Sequence, residues 1–525
     1  MPNEVKAAGT KESAPVRTGV VQSGDRTFSL QEIRERSARA ASGFAALGLT
    51  DGGTLAIMLR NDTPFIESVL AANQIGAYSV PVNWHQKSEE VRYLLNDCQA
   101  TVLVVHADLL RDVRDAVPPN VTVICVQTPR EICQAYGVPA EKALPPAGCL
   151  EWESLLRQHP PSPERPTAPR GTMVYTSGTT GRPKGIKRDP VPLHNREAYA
   201  ALRRQWFGHK PGMRTAIIGP MYHSVQASYA LAAVSANGSV FILPRFDAEK
   251  VLAYIDAEKL THLHLVPVMM NRLLQLPAAV RKKYDLSSLE FVIHGAAPCP
   301  PEVKRRFIEW WGPIVYEYYG TSEAGMVSRS NSEEWLQREG TVGKAWPGRT
   351  IRIYDSQGNV LPPRAEGIVY MSLGLMPDFT YHNSDEKRSQ IERDGLVTNS
   401  DIGYLDEDGY LFLCDRQHDM VISGGVNIYP AEIEAVLATH PTVFDCAVFG
   451  IPDSEYGEAL AAVVQPRNGH ALSAEELTAF LKARLANYKV PRHFEFQSTL
   501  PRDESGKIFK RVLRDKHWAR TGRRI

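Results

Sequence analysis

Short runs rich in β-branched residues alternate along this chain with longer stretches whose apolar positions recur at helical spacing. "GTLAIMLRN" (53–61), "TVLVVHA" (101–107) and "VTVICVQ" (121–127) read as strands, and "PFIESVLAANQIGAY" between the first two reads as a helix. The alternation predicts parallel sheets covered by helices. "HPPSPERPTAPR" (159–170) suits neither helix nor central strand and reads as a linker or extended arm. The pattern then resumes with "TAIIGP" (215–220), "SVFILP" (239–244), "THLHLVP" (261–267), "LEFVIHGAA" (289–297) and "PIVYEYYG" (313–320). Doubly wound α/β architecture is the expected result. From about 341 to 414 short strands and turns replace it, which predicts a small antiparallel barrel or sheet. Beyond 415 the chain reads as a compact α+β unit, in which Ser473 and Glu476 form a capping box for "SAEELTAFLKARL".

At 525 residues the chain exceeds one ordinary core, so at least two domains are expected. Hydrophobic residues make up 43% and charged residues 23%, a globular balance, and the formal charge of +1 removes any global argument for nucleic-acid binding. Seven scattered cysteines without a Cys-x-x-Cys pair read as reduced thiols. The charged start carries no signal-peptide core, and no run of eighteen apolar residues appears. A soluble cytoplasmic protein without an integral membrane segment is expected.

The chemistry begins at "YTSGTTGRPKG" (175–185), too rich in Gly and Pro to be helix. Glycines let backbone N–H groups turn toward an anion, hydroxyls add donors, and Lys184 adds charge, which together suit a polyphosphate. The spacing is not that of a Walker loop, since Gly185 follows Lys184. Alone, such a loop is more often a surface turn.

Three further segments accompany it: "YYGTSEAG" (318–325), "SDIGYLDEDGYLFLCDR" (400–416) and "LPRDESGKIFKRVLR" (500–514). In order and spacing the four resemble the motifs of the adenylate-forming superfamily of acyl-CoA synthetases, adenylation domains and luciferases, over nearly the whole chain. The resemblance implies a flexible N-terminus (1–20) and a large N-terminal adenylation domain (21–415) of doubly wound sheets with a small β-barrel-like subdomain. A small mobile α+β C-terminal domain (416–525) completes the α/β fold and carries the catalytic lysine. It also implies activation of a carboxylic acid by ATP. The acid attacks the α-phosphorus, and an acyl-adenylate and pyrophosphate result. Attacker and triphosphate are both anionic, so cations and Mg²⁺ are needed between them.

By that resemblance Thr176, Ser177, Gly178, Thr179, Thr180, Gly181 and Lys184 cradle the β- and γ-phosphates, whereas Lys187 and Arg188 lie beyond the motif as solvated cations. Glu323 holds Mg²⁺, a hard ligand for a hard cation. Gly320, Thr321 and Ser322 border the nucleotide, Ser322 keeping the hydroxyl of the family's usual Thr. Tyr319 stacks on adenine, with Gly295, Ala296 and Ala297 of "HGAAP" on its other side. Asp401 accepts from both ribose hydroxyls, and Arg416 adds a ribose or phosphate contact. The family's usual Thr-Gly-Asp is here Asn399-Ser400-Asp401. Lys507 bridges the acid and ATP as they approach.

For the second half-reaction the resemblance implies rotation of the C-terminal domain about a hinge at His418. Relatives often carry Asp or Lys there, and a histidine would titrate near neutral pH; the plainer alternative is a histidine without consequence. Gly424 and Gly425 would let the backbone approach the thiol of coenzyme A. Arg520, Arg523 and Arg524 could meet the coenzyme's phosphates, or form a solvated tail. "PMYHSVQASYALAAV" (220–234) resembles the acyl-pocket stretch, with Tyr222, the gating His223, and small residues Ala227, Ser228, Ala230 and Ala232 giving room. No cation is seen awaiting a second negative charge, so an apolar fatty or aryl monocarboxylate is expected. The alternatives are transfer to a carrier protein or another acceptor, and nucleotide binding without catalysis, against which Glu323 and Lys507 argue. Whether the chain is a monomer or a homodimer stays open.

Overall fold

The computed structural model describes residues 19–163, 168–176, 183–416, 419–423, 426–453, 456–467, 469–502 and 508–518. The first expected strands pair in parallel, and with Tyr78–Pro81 and Leu150–Glu151 they form a five-stranded sheet. By chain position its order is 2-1-3-4-5, a doubly wound arrangement that leaves a crevice at the carboxyl ends of the strands. All five residues of Thr54–Met58 are buried, as a strand covered on both faces requires. Thr63–Ile75 packs on this sheet after Asp62, whose carboxylate accepts from the Thr63 amide and caps the helix. The helix ends at Gly76, φ 82°.

A second sheet starts at the N-terminal hairpin, Val20–Ser23 with Arg26–Ser29, which joins Ser239–Ile242 in parallel. It continues in parallel through Arg214–Ile217, His262–Leu265, Phe291–His294 and Val315–Thr321. There the direction changes. Val315–Thr321 turns back on Gly325–Ser330 as a hairpin, and the antiparallel strands expected after 341 follow on the same hydrogen-bonded path. They enclose their own core of Ile351, Ile353, Val369, Met371 and Leu411. The hairpin turn is thus the point where the parallel and antiparallel parts of one sheet meet. A third, three-stranded sheet joins Val174–Thr176, Lys184–Arg188 and Phe379–Tyr381.

From Val421 the chain builds a separate five-stranded sheet around the long hairpin Val443–Asp453 and Gly457–Pro466, with cores including Ile433, Leu437, Leu477 and Leu481 on one side and Phe449, Leu500 and Leu513 on the other. Half of the expected capping box forms. Ser473 Oγ accepts from the Glu476 amide at 3.1 Å, while the Glu476 carboxylate lies 3.5 Å from His440 Nε2. All seven cysteines are free thiols. Among the described residues no helix is long and apolar enough to cross a membrane.

Candidate active site

The hairpin turn at 321–325 is held from three sides. Within it, the Ala324 amide donates to Thr321 Oγ1 at 2.9 Å. Gly320 lies so close to the returning strand that a Cβ there would stand 2.3 Å from the Gly325 carbonyl oxygen, which only glycine avoids. Behind it, Arg188 donates to the carbonyl oxygens of Ser322 (2.8 Å), Glu323 (2.6 Å) and Pro377 (3.0 Å). Arg188 is therefore no solvated cation. Its strand, Lys184–Arg188, lies edge to edge with Phe379–Tyr381, and the guanidinium rests over the Phe379 ring. Burial lowers its pKa. Lys187 is also half-buried, its ammonium 5.4 Å from the centre of the Tyr78 ring.

The same neighbour strand supplies Tyr381, whose hydroxyl donates to Glu323 Oε1 at 3.1 Å. The phenol pKa is pushed up by burial and by the carboxylate. Glu323 is a buried carboxylate on the wall of a cleft of about 2810 Å³, which Thr176, Lys184, Thr321 and Ser322 also line. Tyr319 faces that cleft one residue before Gly320. Its hydroxyl donates to Asp401 Oδ2 at 2.7 Å and lies 3.4 Å from Asn399 Oδ1. Residues 82 positions apart thus meet, because the strand Asp401–Leu405 belongs to the antiparallel continuation of the sheet.

Two backbone positions here are strained. Ala296 (φ 66°) and Ser400 (φ 65°) occupy the left-handed region that favours glycine. Ala296 turns the chain after strand Phe291–His294, and both it and Ala297 line the cleft. Gly295 does not line it. It abuts the Tyr318 ring, which a Cβ would meet at 2.5 Å. Ser400 sits directly before Asp401, with its amide donating to Thr398 Oγ1 at 2.9 Å.

On the acyl side, His223 precedes helix Ser224–Ser235, and its carbonyl accepts from the amides of Gln226 and Ala227. Tyr222 lies tilted at 44° against the His223 ring and meets Trp84 edge-on, centroids 4.5 Å apart. The helix presents Val225, Ser228 and Leu231 to the cleft. Ala227, Ala230 and Ala232 are turned into the hydrophobic core instead, so they give room to packing and not to a ligand. Helical spacing separates the faces, since 225, 228 and 231 recur every three residues. The facing helix, Arg196–Trp206, lines the cleft with Tyr199, Arg203 and Trp206. Arg203 is a cation on this face, which the sequence reading does not name. Its place on this face is set by a helix the motifs do not mark.

Ser177, Gly178, Thr179, Thr180, Gly181, His418, Gly424, Gly425, Lys507, Arg520, Arg523, Arg524 and the Arg416 side chain lie outside the described residues. The strands flanking the phosphate-loop segment are described: Thr176 pairs with Lys184. Tyr381 escapes the sequence reading, which takes Arg188 as a solvated cation and Asn399 only as a departure from the family's usual Thr. "PDFTYHN" carries only the alternation of a short strand, and Arg188 shows only as a cation on a strand otherwise bound for burial.

The AMP-binding enzyme family model matches residues 6–375, and that of the AMP-binding enzyme C-terminal domain matches 432–507. The chain belongs to the AMP-binding enzyme family. A long-chain-fatty-acid–CoA ligase of Bacillus subtilis is 30% identical over 544 residues, covering 98% of this chain and 94% of that protein. A fatty acid–[acyl-carrier-protein] ligase of Streptomyces coeruleorubidus is 30% identical over 510 residues, 95% of this chain and 93% of its own length. The crystal structure of ATP-bound MatB from Rhodopseudomonas palustris superimposes with a TM-score of 0.82 at 27% identity, over 96% of this chain and 97% of that one. The chain is an adenylate-forming enzyme of the acyl-CoA synthetase type, an AMP-forming acid–thiol ligase.

Proposed function

We propose that this enzyme is an ATP-dependent acid–CoA ligase that activates a fatty or aryl carboxylic acid, with residues 416–525 acting as a mobile domain. The observation that carries the reading is the meeting of Lys184, Tyr319, Glu323 and Asp401 on one cleft. A cation, an aromatic face and two buried carboxylates in that order match the needs of phosphates, adenine, metal and ribose. In the first step a carboxylate oxygen bonds to the α-phosphorus of ATP, the bond to the bridging oxygen breaks, and pyrophosphate leaves. In the second the thiol of coenzyme A loses its proton, its sulfur bonds to the acyl carbon, and AMP leaves.

Glu323 fits Mg²⁺ and would hold it: it is a hard oxygen donor on the cleft wall, oriented by Tyr381. When bound, such an ion would supply charge that offsets what builds on the phosphates. Lys184 neutralises the leaving pyrophosphate, and Asp401, oriented by Tyr319, accepts from the ribose. His223 and Tyr222 border the acyl entrance. The organic body of the acid lies against Val225 and Leu231, which favours an apolar chain or ring.

Acid-dependent exchange of labelled pyrophosphate into ATP tests the first step, with a panel of acids. Thioester formation with free coenzyme A tests the second. The similarity to a carrier-protein ligase supports a second reading, in which the acyl group passes to a carrier; exchange without thioester formation on coenzyme A would select it.

A further inference from the structure

On helix Arg196–Trp206, Tyr199, Arg203 and Trp206 stand at i, i+4 and i+7, one stripe facing the acyl end of the cleft. Trp206 packs its ring over Gly325, across the hairpin from the phosphate-loop strands, with Met376 beside it. The stripe is set apart from its own neighbour. Arg204, which points outward, is paired with Glu197 at 2.7 Å. Half-buried Arg203 has a single hydrogen bond, from Nη2 to the Ser228 carbonyl at 3.3 Å, and no carboxylate within ion-pair distance among the described residues. Its charge reaches inward, helping to hold the buried His209 well below the ordinary histidine range after burial itself.

Two more guanidinium groups back this end. Arg349 is buried, stacks 5.5 Å from the Trp206 ring, donates from Nη1 to the Ser372 carbonyl, and leaves Nη2 without a partner. Among the described residues Arg188 bonds only carbonyl oxygens. Burial pushes Arg349 down to about 10, with Arg188 adding like-charge repulsion. Arg203 and Arg349, with no carboxylate at ion-pair distance among the described residues, leave positive potential on one wall of an organic-acid pocket, whereas Glu323 and Asp378 partly offset the charge of Arg188. A neutral carbonyl satisfies a donor but not a charge, and a part-buried cation is stabilised by an acceptor it can face.

We propose that Arg203 is a specificity-determining residue that binds a second oxygen acceptor, a carboxylate or a carbonyl, on the part of the acid remote from its reacting carboxyl. The proposal rests on the acid–CoA ligase reading and names the class of acid: an apolar body between Val225, Leu231 and Met326, ending in an oxygenated group. Arg349 and Arg188 supply field rather than contact. Charge-assisted hydrogen bonds of this kind are worth about 1.5–3 kcal/mol, on the order of 10- to 100-fold in kcat/KM.

The experiment is acid-dependent pyrophosphate exchange with three acids of equal chain length, the plain monocarboxylate, its ω-keto analogue and the α,ω-dicarboxylate, repeated over several lengths. At some length one or both oxygenated acids should exceed the plain acid by about 10-fold or more in kcat/KM. In Arg203→Met that ratio should fall to near unity, and in Arg203→Lys it should be partly kept for the dicarboxylate. The ratio is internal to each variant, so partial loss of folded protein does not distort it. A plain acid used as well as its oxygenated partners at every length overturns the assignment, as does a preference that survives Arg203→Met. A dicarboxylate preference identifies a charged acceptor, and a keto preference a neutral one. Exchange with no acid at all overturns the ligase reading itself.

Discussion

Ser400 shows how much a single backbone dihedral can cost. Its φ of 65° puts a β-carbon where L-residues are crowded, at about 1–2 kcal/mol. Glycine would remove that strain but loses about 0.5–1 kcal/mol through its greater freedom when unfolded. The balance favours Ser400→Gly by up to about 1 kcal/mol, read as a higher denaturant midpoint with an unchanged slope. A fall in the midpoint would show that the serine hydroxyl contributes more than the strain. Tyr319→Phe is the complementary case. It keeps the aromatic face and deletes the hydroxyl that donates to Asp401 at 2.7 Å. Losing a hydrogen bond to a carboxylate costs about 1.5–3 kcal/mol at most, so the KM for ATP should rise by on the order of 10-fold. An unaltered KM would mean that Asp401 is oriented without it.

At the scale of the element, the hairpin turn at 321–325 depends on a strand that the motifs leave unmarked. Arg188→Met strips three carbonyls of their donor. The turn bearing Glu323 should loosen, cutting exchange by about 10-fold or more and raising the Mg²⁺ concentration for half-maximal rate. Arg188→Lys, which can reach fewer of the three, should fall between. Equal Mg²⁺ dependence in all three proteins would reduce Arg188 to a packing residue. Most inner strands of the two large sheets were legible in the sequence because each is a short β-branched run closed by glycine, proline or a turn, whereas the N-terminal hairpin, Tyr78–Pro81 and Leu150–Glu151 were too short or too polar to mark themselves. The four motifs likewise marked Lys184, Tyr319, Glu323 and Asp401, because their residue types are constrained by one chemistry. Arg188, Tyr381 and Arg203 were not legible for the opposite reason. Their roles arise from sheet pairing and helix facing between segments far apart in the chain, and no local period reports which neighbour a strand edge will find. The alanines after His223 failed differently: small residues signal space equally well toward a core and toward a cavity.

The large domain as a whole should be acid-sensitive. His262 and His264 lie on one buried strand, and burial lowers them to about 4 and about 3. His264 bonds the Tyr318 hydroxyl and the Gln226 amide, and His262 lies beside the Gly208 carbonyl. Both are neutral in the fold, whereas an unfolded histidine takes up a proton near pH 6.5. Their stabilising contribution is therefore complete above about pH 6.5 and is lost as pH falls toward the folded values. Each adds a slope of about 1.4 kcal/mol per pH unit across that window. Denaturant unfolding measured from pH 7 to 5 should show the fall, and His264→Gln should remove its share of the slope. An unchanged slope would mean that these imidazoles are protonated in the fold.

The proposed two-domain cycle is tested through Lys507. Its segment is anchored on both sides: Arg502 pairs with Asp445 and bridges Ile508, while Lys510 pairs with Glu434 at 2.9 Å. Arg502, Ile508 and Lys510 line the same cleft as Tyr319 and Asp401. A lysine delivered to the nucleotide would act while the acid approaches ATP and would have no task once the acyl-adenylate bond exists and the domain has turned. Lys507→Ala should therefore lower acid-dependent pyrophosphate exchange by about 100-fold or more, the scale of losing one preorganised charge at a reacting centre. Thioester formation from supplied acyl-adenylate and coenzyme A should stay within about 3-fold, because that half-reaction makes no use of the ammonium. Equal loss in both halves would place Lys507 in the fold of the C-terminal unit rather than in the chemistry. Retention of exchange would remove it from the first step, and with it the reason for a second domain to turn.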